Sequence, residues 1–314
     1  MPAPESQPSP GPDLPLPGPG RAVRASATPL SAGEAVRAAL DASVARLIAH
    51  EPAVRKGEDP EAVHQARVAT RRLRSDLRTF RDLLDPKWAA SLRDELAWLA
   101  GALGAVRDAD VLLARLRGTV AQLPDADRRV ADGVLAGLEV DRDRARTALL
   151  DAIDGRRYHE LVGRLQEAAR APERSAAAAA PAGDVLPGLV RKPWRRLARA
   201  VDDLGPSPSD QALHDVRKRA KRVRYAAEAA APVTGKRARR LARALARLQD
   251  VLGDHQDAVV AERWLRDALE TATPRQTFVV GQLAAMERAG ADDSRAAWRK
   301  VWQAAARKRL RRWI

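Results

Sequence analysis

The chain contains an internal repeat, which constrains its fold more than any other feature. Residues 62–74 (AVHQARVATRRLR) align with residues 212–224 (ALHDVRKRAKRVR) at an offset of 150. Some forty residues later, residues 103–108 (LGAVRD) match residues 252–257 (LGDHQD) at an offset of 149. We therefore expect two related halves that pack around a pseudo-twofold axis.

Both halves have a helical pattern. Apolar residues recur at steps of three and four, Ala, Leu, Arg and Glu dominate, and β-branched residues rarely cluster. Asp59 and Ser209 stand as N-cap residues five positions before a histidine in each copy, and a capping box at Ser31 predicts an earlier helix that runs to about His50. The sequence predicts an all-α protein of two helical-bundle halves, each of about six helices.

Proline-rich stretches divide the chain. Residues 1–20 contain eight Pro and three Gly, so we expect a disordered tail over residues 1–28. A second stretch, rich in Ala and Pro, predicts a linker over residues 171–187. The first helical half then covers residues 29–170 and the second covers residues 188–314.

The first repeated helix carries two stripes. The apolar stripe predicts core and consists of Val63, Ala66, Thr70, Leu73, Leu77, Phe80 and Leu84. The first basic ridge, one residue further round, consists of His64, Arg67, Arg71, Arg74, Arg78 and Arg81, with Arg72 beside it. The second basic ridge consists of His214, Arg217, Lys221 and Arg224, reinforced by Lys218, Arg219 and Arg222. Like charges at these spacings destabilise an isolated helix, which indicates an anion that neutralises them.

The net charge indicates the same kind of partner. Lys and Arg number 56 against 41 Asp and Glu, and 48 of the 56 are Arg, whose planar fork of donors suits phosphate. A third basic run, from Lys236 through Arg240 to Arg247, fits ligand contact or a solvated face equally well. The basic residues 307–312 fit a solvated terminal helix better than a specific site.

Other features exclude several classes of protein. The absence of cysteine excludes thiol nucleophiles, disulfides and cysteine metal sites. No stretch approaches 18 consecutive apolar residues, and the first 20 residues lack the basic and apolar regions of a secretion signal. We expect a soluble, cytoplasmic protein that has no membrane partner.

The repeated motifs resemble the CHAD family, the conserved histidine α-helical domain. Each half carries a His-x-x-Arg-x-x-x-Arg/Lys-Arg-x-Arg helix and a later Leu-Gly-x-x-(Arg/Gln)-Asp signature, and the resemblance covers about residues 31–314. It implies an all-helical domain around a basic cleft or pore that binds inorganic polyphosphate and associates with polyphosphate granules. We expect no catalytic activity and no cofactor, because the sequence contains neither a Glu-x-Glu-x-Lys strand nor a Gly-x-x-x-x-Gly-Lys-Ser/Thr loop.

The family's basic and histidine positions fall on residues of both ridges. They are His64, Arg67, Arg71, Arg72 and Arg74, and His214, Arg217, Lys221, Arg222 and Arg224. Arg78, Lys218, Lys236 and Arg240 complete the candidate ligand surface. The second half differs from the first at two positions. Glu228 occupies the position equivalent to Arg78, and Gln256 occupies the position equivalent to Arg107.

Several alternatives stay open. The histidines fit phosphate contact, a buried hydrogen bond or metal ligation, and Asp108 and Asp257, placed after expected breaks at Gly104 and Gly253, fit caps or partners that orient ridge arginines. His214 and Asp215 form an HD pair, as in metal phosphohydrolases, although supporting ligand spacing is absent. Nucleic acid is the stronger rival ligand, but aromatic residues are only 4% of the chain. An acidic protein partner is a third alternative.

Overall fold

The computed structural model describes residues 30–57 and 59–314, which form helices joined by short connections. The predicted all-α class is confirmed, since no strand forms among these residues and the β-structure there is limited to two isolated bridges. The predicted tail, residues 1–28, lies outside the described residues. The α-helices are α1 (Ala32–Lys56), α2 (Pro60–Thr79), α3 (Pro86–Val120), α4 (Asp125–Asp154), α5 (Arg156–Arg170), α6 (Ala182–Asp202), α7 (Asp210–Thr234), α8 (Lys236–Ala268), α9 (Pro274–Ala305) and α10 (Lys308–Arg311).

The helices that carry the repeat begin as predicted. The Asp59 carboxylate accepts a hydrogen bond from the Glu61 amide at 2.8 Å, and the Ser209 hydroxyl accepts one from the Ala212 amide at 3.2 Å. Both caps satisfy amide groups that have no partner inside the helix. α2 and α7 therefore begin at equivalent positions of the repeat.

The first helix is longer than expected. α1 does not end near His50 but continues through Pro52 to Lys56. It ends at Gly57, whose φ of 72° lies in the left-handed region. The proline removes one helical hydrogen bond, while burial of Val54 holds the last turn on the core.

Gly104 and Gly253 do not break the chain into shorter helices. α3 runs through Gly104 and α8 runs through Gly253, so Asp108 and Asp257 lie inside these helices and do not cap others. Glycine inside a helix costs roughly 1 kcal/mol relative to alanine, which packing of such long helices on the core offsets. Five α-helices, instead of about six, precede residue 171 among the described residues, and five follow it.

The connection between the halves is shorter than the linker predicted at residues 171–187. A 3-10 turn covers Ala176–Ala179, and α6 begins at Ala182, within the predicted linker. Pro187, the last residue of the predicted linker, lies inside α6. The proline removes one backbone hydrogen bond, but the helix continues past it.

The helices enclose two apolar cores. The larger core contains side chains of α1, α2, α5, α6 and α7 and parts of the longer helices, and it includes the stripe predicted on α2. The smaller core joins Leu116 of α3 and Leu135 of α4 to Leu265 of α8 and Leu283 of α9. Because both halves contribute to this smaller core, they are packed into one another.

The N-termini of α1 and α6 meet through a reciprocal pair of backbone hydrogen bonds. The Ala32 amide donates to the Ala180 carbonyl, and the Ala182 amide donates to the Leu30 carbonyl, both at 2.8 Å. Each donor and acceptor has its counterpart 150 residues away, and this reciprocity is typical of a twofold contact. The bonds support the pseudo-twofold arrangement, which, like the pore, stays a prediction.

Candidate functional site

A cleft of about 670 Å³ lies where α2, α3, α7 and α8 meet. Seven cationic side chains, two histidines and three carboxylates line it, so positive charge prevails. The cations are Arg67, Arg71, Arg107, Arg115, Arg217, Lys221 and Arg224, the histidines are His64 and His214, and the carboxylates are Asp108, Asp250 and Asp257. The structure therefore brings the first three members of the first ridge and the four main members of the second ridge to one site.

On the first-half side, α3 holds an arginine of α2 in place. Arg67 Nη2 lies 2.9 Å from Asp108 Oδ1. A β-carbon on Gly104 would come within 4.0 Å of Arg67 Nε, so the glycine leaves room for the guanidinium to lie along α3. Of the two roles considered for Asp108, the structure shows the one that orients a ridge arginine.

The second half repeats this arrangement on α8. Arg217 lies over Gly253, where a β-carbon would be 3.5 Å from its Nε and Nη2. Burial lowers the pKa of Arg217, and the nearby Asp257 opposes that shift. The Arg217 Nε atom is buried without a hydrogen-bond partner among the described residues, so a donor of this site is left for a ligand.

Lys221 is a partly buried cation whose pKa the cleft lowers strongly. Burial lowers its pKa to about 7, with further contributions from Arg71 and Arg217. Arg71, in turn, is held by a hydrogen bond from its Nε to the Tyr225 hydroxyl at 2.8 Å. A bound anion would relieve this repulsion and restore the charge of the lysine.

Four cations of the cleft form no ion pair within the described part of the chain. They are Arg71, Arg107, Arg217 and Lys221. The other three are paired: Arg67 contacts Asp108, Arg115 contacts the buried Glu287 of α9 at 2.5 Å, and Arg224 contacts Glu228 at 3.2 Å. The unpaired group lies together inside the cleft, where charge is poorly screened.

The two histidines lie at equivalent places in the wall. Burial lowers the pKa of His64, with Arg107 the next cause, and burial lowers the pKa of His214, with Lys218 the next cause. The Nδ1 atom of His214 is buried and has no hydrogen-bond partner among the described residues. Gln256, which replaces the arginine of the first half, lies next to this imidazole.

The expectation that Arg72 belongs to the ligand surface is wrong. Its guanidinium donates a hydrogen bond to Asp76 on its own helix at 3.2 Å and forms an ion pair with Glu228 of α7. It also lies over the Tyr225 ring. Asp76 is fully buried, and burial raises its pKa to about 6. Arg72 therefore helps to join α2 to α7 beneath the cleft.

Four predicted ligand residues line a neighbouring depression, not the cleft. We call this the ridge groove; its volume is about 250 Å³ and it shares Arg71 and Lys221 with the cleft. Its other lining residues are Arg74, Ser75, Arg78, Lys218, Arg222 and Tyr225. Arg81 lies beyond the end of α2 and pairs with Asp82 at 3.1 Å.

Lys236 and Arg240 lie outside the cleft, contrary to the prediction. Both are exposed on the first turns of α8, whereas the first cleft residue on that helix is Gln249. At 1.5 Å per residue, Lys236 is roughly 20 Å along the helix from Gln249. The solvated-face interpretation of this basic run fits the structure better.

Sequence reasoning missed several lining residues of α3 and α8. Arg115 follows Arg107 by eight positions on α3, which is two steps of four, so both arginines lie on one face of the helix. This spacing is a signal that could have identified Arg115. Gln249 and Asp250 carry no comparable signal, because only the packing of α8 against α7 and α3 turns them to the cleft.

Two further observations bear on the alternatives. No cluster of three metal-binding side chains occurs in residues 30–57 and 59–314, and Asp215 of the HD pair contacts Lys218 at 2.6 Å. No phenylalanine, tyrosine or tryptophan ring lines the cleft within the part of the chain that the structure describes. None of the helices described is both long and apolar enough to cross a membrane.

Two solved structures resemble this fold. PptA from Streptomyces chartreusis superposes with a TM-score of 0.71 at 26% sequence identity, covering 88% of this chain and 100% of that one. The CHAD domain from the plant Ricinus communis gives a TM-score of 0.69 at 30% identity, covering 91% of this chain and 98% of that one.

Sequence comparison gives the same relationship. Two uncharacterized proteins from strains of Mycobacterium tuberculosis are 36% identical over 265 residues, or 81% of this chain. The chain spans about half of their length, 50% in each case. The CHAD domain model matches residues 38–266, which include both ridges and every residue that lines the cleft. The chain belongs to the CHAD domain family.

Proposed function

We propose that this protein binds inorganic polyphosphate in the cleft and does not act on it chemically. The observation that carries the proposal is the group of unpaired cations, Arg71, Arg107, Arg217 and Lys221, at one partly buried site. Arginine donates in a planar fork that matches phosphate oxygens, and a chain of phosphates presents such oxygens at every unit.

The low pKa of Lys221, about 7, supports the same proposal. Positive groups that repel one another at a buried place are costly to the folded protein unless an anion joins them. The absence of phenylalanine, tyrosine and tryptophan from the described cleft lining favours polyphosphate over single-stranded nucleic acid, whose bases stack on such side chains. Binding of this kind would also bring the protein to polyphosphate granules in the cytoplasm.

The test is charge reversal at the two residues shared by the cleft and the ridge groove. We expect R71E/K221E to abolish binding of long-chain polyphosphate. The variant removes two of the four unpaired cations, and its two new carboxylates would neutralise the other two, Arg107 and Arg217. Helical content by circular dichroism should be unchanged. R191E/R195E, which makes the same charge change at exposed positions of α6, serves as the matched control.

Competition and turnover complete the experiment. RNA at equal phosphate concentration and one stated salt should displace polyphosphate poorly. The proposal fails if folded R71E/K221E retains full affinity, if RNA competes as well as polyphosphate, or if phosphate is released from the polymer with the kinetics of a catalysed reaction.

A further inference from the structure

Positive charge continues from the cleft along α2. The ridge groove joins the cleft at Arg71 and Lys221 and contains six cations and no carboxylate. From His64 in the cleft to Arg78 at the far end of the ridge groove, α2 covers roughly 21 Å at 1.5 Å per residue. A ligand confined to the cleft would contact His64, Arg67 and Arg71 and leave Arg74 and Arg78, the far part of this ridge, unused.

A third depression extends the same surface onto α6, and we call it the α6 groove. It has a volume of about 120 Å³ and shares Ser75, Arg78 and Arg222 with the ridge groove. Lys192 and Arg196 of α6 add two cations to its lining. The remaining lining residues are Thr79, Arg81, Asp82, Leu189 and Pro193.

The charges of the α6 groove are poorly neutralised by the protein. Its one carboxylate, Asp82, is engaged by Arg81 at 3.1 Å. Arg78, Lys192, Arg196 and Arg222 form no ion pair among the described residues.

The surroundings of Arg78 show the same excess. Desolvation lowers the pKa of Arg78, and Arg222 and Arg93 lower it further. The Nε atom of Arg93 is itself buried without a hydrogen-bond partner in the described chain. Positive groups therefore crowd one another at the end of the ridge just as they do in the cleft.

We propose that the α6 groove is a second phosphate-binding section, which a long polyphosphate chain reaches from the cleft through the ridge groove. This inference rests on the proposed function and adds that the protein selects polymers long enough to reach Lys192 and Arg196. A chain held in the cleft presents its later phosphates to α6 at high effective concentration, so the second contact strengthens binding. A short oligomer gains nothing from it.

The experiment compares two double variants on one helix. K192E/R196E reverses the charges of the α6 groove, whereas R191E/R195E makes the same change on exposed residues of α6 that line none of the three depressions. Affinities for long-chain polyphosphate and for tripolyphosphate are measured by calorimetry across a salt series.

K192E/R196E should lose at least tenfold in affinity for the long chain and keep its affinity for tripolyphosphate. Its salt slope for the long chain should fall by roughly 1.4, at about 0.7 for each lost phosphate contact. R191E/R195E should resemble the unchanged protein with both ligands.

The remaining outcomes oppose the inference in distinguishable ways. Equal losses in the two double variants would show a general effect of net charge, and equal losses for both ligands would place Lys192 and Arg196 at the cleft; either result overturns the second section and leaves the proposed function standing. If the unchanged protein binds neither ligand, the proposed function itself fails.

Discussion

Lys221 is partly buried among the arginines of the cleft, so it should report ligand binding through its proton. Its pKa is about 7 in the free protein, and a bound polyanion raises it toward its ordinary value. Below about pH 7 the lysine is charged before and after binding, and affinity should not depend on it. Above about pH 7 binding must take up a proton, so affinity should fall as pH rises, by at most about tenfold per pH unit.

The substitution Lys221→Arg tests this assignment, because arginine stays charged at every accessible pH. Calorimetry with long-chain polyphosphate is run between about pH 7 and about pH 9, and because both proteins keep His64 and His214, the difference between their pH profiles reports residue 221. The decline in affinity should be present in the unchanged protein and absent in the variant. Parallel pH profiles would contradict the role of Lys221.

At the scale of single residues, the sequence identifies those whose role depends on their own helix. His64, Arg67 and Arg71 could be placed in the site because their spacing puts them on one face of α2. Arg72 could not be assigned in this way, because its partner Glu228 comes from α7. The contact that removes Arg72 from the ligand surface exists only once two helices are packed together.

At the scale of elements, the two long helices α3 and α8 carry a glycine and an aspartate one turn apart beneath a ridge arginine. The sequence shows the spacing, but it does not show whether the glycine ends a helix or makes room for a neighbour. The structure answers this through Gly253, over which the Arg217 guanidinium lies.

Two substitutions at Gly253 separate helix propensity from this role. Gly253→Ala places a β-carbon at an ordinary contact distance of 3.5 Å, so affinity should be kept while stability rises by up to about 1 kcal/mol. Gly253→Leu should displace the guanidinium of Arg217 and lower affinity for polyphosphate by about tenfold, the value of roughly one lost charged contact. Thermal melting and calorimetry measure the two effects.

Gly101 of α3 provides the matched control, since a β-carbon there meets no atom within 4 Å. Gly101→Leu should leave affinity unchanged. If Gly253→Leu binds as tightly as the unchanged protein, the glycine does not position Arg217.

At the scale of the whole molecule, the repeat made the pairing of the two ridges predictable, because equivalent helices of related halves tend to meet at the axis that relates them. The shared smaller core was not predictable in the same way. It depends on which ends of α3, α4, α8 and α9 pack together, and periodicity within each helix does not specify partners between helices.

The shared cleft also makes a prediction about the two halves acting together. R67Q/R71Q neutralises cleft residues of the first ridge, and R217Q/K221Q neutralises their counterparts in the second. Each pair should lower affinity well beyond tenfold, since linked contacts raise avidity by roughly 10²–10⁴. Each should also reduce the slope of log affinity against log salt by about 1.4, at about 0.7 per phosphate contact.

Two independent sites would behave differently under the same titrations. Loss of one of two equal, separate sites lowers total binding by only about half and leaves the salt slope of the other unchanged. A slope near one in the unchanged protein would likewise mean that few ionic contacts form, although four unpaired cations lie in the cleft. Because both ridges line one cleft between α2 and α7, we expect each half to depend on the other for most of its affinity.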